Sequence, residues 1–97
     1  MASRGNEQHM KEAIENLLQS YSLKGKVNEK RLVAAWQDLM GKKIAKHTRK
    51  IYISHNKLFL TIDSAPLKQE LSFARDKIVE LVNERLGEEV VEEVVIQ

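Results

Sequence analysis

Apolar positions recur with a helical period over the first forty residues and then change to strict alternation. Met10, Ala13, Ile14, Leu17, Leu18 and Tyr21 fall at i, i+3, i+4, i+7, i+8 and i+11, which predicts a core-facing helix over Glu7 to Ser20. Leu23 to Val27 contains Gly25 and reads as a connector, after which Asn28 is placed to cap a second helix. The stripe of that helix is Leu32, Ala35, Trp36, Leu39 and Met40. Gly41 follows where a helix end asks for a residue at positive φ, which glycine adopts without steric cost.

From Arg49 the period is two. Ile51 and Ile53 point one way, Tyr52 and Ser54 the other, and Leu58, Leu60 and Ile62 repeat the alternation. A two-residue loop at Asn56-Lys57 pairs Ile53 with Leu60 and Ile51 with Ile62, so both apolar sets share one face. Tyr52, Ser54, Phe59 and Thr61 occupy the other, with Tyr52 and Phe59 on a diagonal. Ser64 and Pro66 signal a helix start, and Leu67, Leu71, Ala74, Ile78, Leu81, Val82 and Leu86 carry one long helix to Gly87. The β-branched tail, Val90 to Gln97, predicts a short strand that joins the hairpin. The elements run ααββαβ, an α+β domain of two layers with helices on one face of a three-stranded sheet. Residues 1–6 are expected to be an unordered start, and 7–97 a single domain.

The chain's 97 residues, 42% apolar and without cysteine, suffice for one core held by packing alone. The longest apolar run, Leu32 to Trp36, is far too short to span a bilayer, and the opening MASRGNEQHM lacks a signal peptide's apolar segment, so a soluble cytoplasmic protein is expected. The net charge of +2 conceals an asymmetry. Residues 1–50 hold eleven Lys or Arg against five acids, a net of +6; residues 51–97 hold five against nine, a net of −4. A basic half of this kind suits phosphates or an acidic protein.

Catalysis finds little support. His9, His47 and His55 lack a cysteine or a patterned acid, no metal-ligand spacing occurs, and the glycines at 5, 25, 41 and 87 form no phosphate loop. No enzyme, cofactor, metal or small-molecule substrate is expected. Lys42, Lys43, Lys46, His47, Arg49 and Lys50 instead form a stretch without an acid, the cation density that phosphate contacts need. A solvated connector would look the same; what favours binding is that a helix end, a loop and a strand start gather these charges. Tyr52 and Phe59 offer faces on which bases stack, or else simply pack on a small sheet. Trp36 reads as the core's plug, its indole N–H directed at a carbonyl. Glu88, Glu89, Glu92 and Glu93 read as an edge that resists strand aggregation, or as a face for a basic partner.

Trp36, Gly41, Ile44-Ala45, His47-Thr48, Leu58, Ser64-Ala65, Glu70-Leu71, Asn83, Leu86-Gly87 and the closing Val-rich strand together resemble the DciA family over residues 10–97. That resemblance implies a bacterial replication protein that loads or operates the DnaB-type replicative helicase, binds DNA, and has a K-homology-like fold. The Gly-x-x-Gly loop with which K-homology domains grip single strands is missing, so that clamp is not carried over. The flexible or basic tail found in many family members is also not seen before Gln97. The function expected is a non-enzymatic accessory that binds the replicative helicase and, weakly, DNA or RNA through Lys42–Lys50. The alternatives are a single-strand or RNA-binding module that makes no helicase contact, and a protein-interaction adaptor.

Overall fold

The computed structural model describes the backbone of residues 2–97 and the side chains of residues 9–17 and 23–97. Residues 1–6, expected to be an unordered start, have no described side chains, and the backbone from Ala2 onward belongs to the first helix. Helix α1 (Ala2–Met40) and the short α2 (Lys42–His47) precede a hairpin of β1 (Thr48–Ser54) and β2 (Lys57–Ile62). Helices α3 (Ala65–Ser72) and α4 (Arg75–Leu86) then lead to β3 (Glu93–Ile96). The sheet order is β1-β2-β3, with β1 antiparallel and β3 parallel to the central β2. One sheet face carries Leu58, Leu60, Ile62 and Val94, which pack with Leu32 and Trp36 of α1, Leu67 and Leu71 of α3, and Ile78, Val82 and Leu86 of α4. Tyr52, Phe59, Thr61 and Val95 on the other sheet face lie outside the core cluster, and among the described residues that face is open. The two-layer α+β architecture is the expected one.

The expected break at Leu23–Val27 is absent, and a single helix runs through it. The segment has no proline, and a glycine inside a helix costs only about 1 kcal/mol. Asn28 does not cap a helix start. It is buried, and its Nδ2 donates to Glu88 Oε1 at 3.1 Å, while Lys24 pairs with the other oxygen of Glu88 at 2.9 Å. The two contacts fix this part of α1 to the loop after α4. Glu29 also anchors α1, accepting from the backbone N–H of Ile53 on the outer edge of β1 at 2.9 Å. Upstream of these anchors the described part of the first apolar stripe is exposed, contrary to its expected place in the core.

The hairpin turns one residue earlier than expected. His55 and Asn56 both have positive φ, 51° and 62°, as a two-residue turn compatible with strand twist requires. Ile53 therefore pairs with Leu58 and Ile51 with Leu60, a shift of two residues that leaves every side chain on its expected face. Tyr52 and Phe59 become direct partners, not diagonal ones. The expected long helix is also interrupted, at Phe73-Ala74 between α3 and α4. There the Ser72 hydroxyl donates back to the Gln69 carbonyl at 2.7 Å, a local bond that competes with the helical ladder. Leu71, Ala74 and Ile78 keep helical spacing across the turn, which is why the apolar pattern conceals it.

Candidate nucleic-acid interface

Gly41, at φ 88° and ψ 167°, occupies a region open essentially to glycine alone, and this lets the chain leave α1 and re-enter a helix at Lys42. The stretch expected as a connector is thus helix α2. Its Ile44 and Ala45 pack against the core, while Lys42, Lys43 and Lys46 are exposed. Trp36, 3% exposed, holds α2 to β1: its Nε1 donates to Thr48 Oγ at 3.0 Å, and that hydroxyl donates to the Ile44 carbonyl at 2.6 Å. The indole therefore meets a hydroxyl that relays to a carbonyl, rather than a carbonyl directly.

The six expected cations divide into two groups. His47 Nδ1 lies 2.7 Å from Asp63 Oδ1, and an Arg49 guanidinium nitrogen lies 2.6 Å from Asp63 Oδ2. The hydrogen bond from His47, and then the bond and charge of Arg49, hold the Asp63 carboxyl below its ordinary value despite some opposing desolvation. Lys42, Lys43, Lys46 and Lys50 form no ion pair among the described residues. Asp63 had no signal of its own in the sequence. The hairpin register supplies one, because Ile62 pairs with Thr48 and thereby sets Asp63 beside His47, whose carbonyl accepts from the Asp63 N–H at 3.0 Å.

The register shift at Thr48/Lys50 marks a bulge in β1 at Arg49. Beyond it, Lys50, Tyr52 and Ser54 alternate onto the uncovered sheet face. Tyr52 and Phe59 stack there with centroids 4.7 Å apart and planes 5° from parallel. Each ring has thus already given one face to the other. Val95 continues the row as the neighbour of Phe59 on β3. Lys50 and the aromatic pair thus share the open sheet face, while Lys42, Lys43 and Lys46 are exposed on α2, the helix that leads into β1. Phe73, 83% exposed on the α3–α4 turn, is an aromatic that the apolar pattern did not single out. Among the described residues no cluster of three or more His, Cys, Asp or Glu is placed to hold a metal, and no helix is long and apolar enough to cross a membrane.

The family described as Dna[CI] antecedent, DciA, matches residues 9–96. The chain belongs to the DciA family. A UPF0232 protein of Corynebacterium glutamicum (strain R) is 36% identical over 58 residues, which take in 60% of this chain and 33% of that protein. The matched stretch thus spans about a third of the relative's length. No solved structure matches. The DciA-like motif residues are mostly structural in this chain. Trp36, Ile44 and Thr48 form one hydrogen-bonded chain, Gly41 and Gly87 hold positive φ, and the Ser64 hydroxyl caps α3 by accepting from Leu67 N at 3.4 Å. Asn83 clamps the loop before β3, accepting from the N–H groups of Val90 and Val91 and donating to the Val91 carbonyl. Of the six expected phosphate-contacting side chains, only His47 is among these motif residues.

Asp63 yields a test of the patch's electrostatics. A carboxyl whose folded pKa is depressed adds stability that is present above its unfolded value and lost as pH falls through the folded one. Urea denaturation between about pH 5 and pH 3 is therefore expected to show an acid loss of stability that is shallower in Asp63→Asn. The same substitution frees His47 and Arg49, and roughly fourfold tighter single-strand binding at physiological salt is expected, equivalent to one added phosphate contact. Weaker binding by a folded Asp63→Asn would mean that Asp63 orients these cations for binding instead of occupying them.

Proposed function

We propose that this chain is a non-enzymatic replication accessory protein that binds the replicative helicase and holds nucleic acid weakly through the Lys42–Lys50 patch. The observation that carries the helicase reading is membership of the DciA family over nearly the whole chain. The weak nucleic-acid reading is supported by Lys42, Lys43 and Lys46 standing outward from a helix fixed to the core. The helicase supplies ATP hydrolysis, so the chain itself needs no nucleotide site. Mixing it with the replicative helicase of the same organism is expected to give a co-eluting complex on size exclusion, with or without single-stranded DNA. Absence of a complex under both conditions would sink the helicase reading.

The second reading is an RNA- or single-strand-binding module that makes no helicase contact, and the open face with Tyr52 and Phe59 favours it. Their mutual stacking limits the ring surface left for bases, so charge carries most of the affinity in this reading.

A further inference from the structure

The Tyr52–Phe59 pair has two ring faces turned away from each other, and they are not equivalent. With centroids 4.7 Å apart and planes 5° from parallel, the rings leave no gap between them for a base to enter. Tyr52 pairs directly with Phe59 across the strands, and Phe59 pairs in turn with Val95, so the middle row of the open face runs Tyr52, Phe59, Val95. Neighbouring strands lie about 4.8 Å apart, which sets Val95 beside the face of Phe59 that Tyr52 does not cover. Tyr52 has no such neighbour on its far side, because β1 is the outer strand of the sheet. The contact there, from Glu29 to the Ile53 N–H, engages backbone and not the ring. The exposures agree: Tyr52 is 36% exposed, whereas Phe59 is half-buried.

The cations on this face are also unequal. Among the described residues, Lys57 is paired with Glu93 at 3.6 Å, whereas Lys50 is in no ion pair. Lys50 stands two residues from Tyr52 on the same strand and the same face, about 6.6 to 6.8 Å away along the strand. The bulge at Arg49 separates it from the side chain that Asp63 holds.

We propose that the outer face of the Tyr52 ring stacks one unpaired base of a single-stranded nucleic acid, with the Lys50 ammonium on the adjacent phosphate and Phe59 backing the ring. The inference rests on the nucleic-acid reading above and gives the two aromatics different roles. Its ligand class follows from the geometry. A base inside a duplex has both faces taken by its neighbours, so only an unpaired base can lie on the ring. Every base has such a face, which makes the site tolerant of sequence. One free ring face per chain means one stacked base per chain, and charge holds the rest of the strand.

The test compares the affinity of the full chain for oligothymidylate and for an abasic strand with the same number of phosphates. The wild-type chain is expected to prefer the thymidylate about five- to tenfold, the lower part of the range for one base on an aromatic side chain. Tyr52→Leu is expected to abolish that preference and leave the salt dependence unchanged, since it removes no charge. Phe59→Leu keeps an apolar backing and is expected to retain most of the preference. Lys50→Gln is expected to weaken both strands alike and to reduce the salt slope by about 0.7. A strand carrying 5-iodouracil is expected to photocrosslink to Tyr52, and Trp36 fluorescence reports that each variant is folded. Equal wild-type binding of the two strands, equal loss of the preference in Tyr52→Leu and Phe59→Leu, or a crosslink to Phe59 would overturn the inference and leave the charge-based reading standing. Absence of binding to either strand would overturn both.

Discussion

Changing Lys42, Lys43 and Lys46 together to glutamate is expected to lower single-strand affinity by at least about a hundredfold at physiological salt. It should also flatten the dependence of log K on log salt by about two. The slope follows from counterion release, at about 0.7 per phosphate contact on a single strand. Three lost contacts remove about two units, and at physiological ionic strength that alone is worth roughly fiftyfold. Repulsion from three new carboxylates adds to the loss. The fold should be unaffected, since the three side chains are exposed while Ile44 and Ala45 provide the inward contacts of α2. Lys26→Glu with Lys30→Glu on α1, about 15 to 21 Å along the helix from its end at Met40, separates a local patch from overall charge. If the two sets weaken binding in proportion to their charge, or if the triple variant binds as before, the patch is not the site.

How much of this was legible beforehand depended on the kind of interaction that decides each feature. The hairpin's faces could be read because side-chain parity survives a register error of two: Ile51, Ile53, Leu58 and Leu60 point inward whether the turn is Asn56-Lys57 or His55-Asn56. The turn itself was misplaced because it depends on two residues accepting positive φ, which alternation does not encode. The continuity of α1 was hidden for a different reason. Gly25 and Asn28 carry the local signature of a break, but Asn28 is claimed by Glu88, sixty residues away, and a tertiary contact overrides a local propensity. The break at Phe73 is hidden in the opposite sense, because the apolar stripe runs through it. In the site, the lysines were legible as a run of like charge. Their division into four lysines without an ion pair among the described residues and the His47 and Arg49 side chains held by Asp63 depends on strand register, and no local pattern carries that.

Trp36→Ala is expected to destabilise the domain by about 3 to 5 kcal/mol, measured by urea denaturation. A chain of this length has on the order of 5 to 15 kcal/mol in total, so a substantial unfolded fraction near 37 °C is the expected result. The cost has two sources that separate by substitution. Truncation opens a cavity in the core cluster to which Trp36 belongs, whereas Trp36→Phe fills most of that volume and removes only the indole donor. After that donor is lost, the Thr48 hydroxyl still donates to the Ile44 carbonyl, so no buried donor is stranded and the expected cost is about 1 to 2 kcal/mol. Thr48→Val does strand one: the buried indole N–H loses its acceptor, at a cost of about 1 to 3 kcal/mol. If Trp36→Ala cost less than about 1 kcal/mol, the indole would not be the plug that holds α2 against the hairpin. If the plug is there, Trp36→Phe should retain nucleic-acid binding, because Ile44 still anchors the helix. A folded fraction of Trp36→Ala should bind less well than its lysines alone would allow, since the patch needs α2 held in place as well as charged.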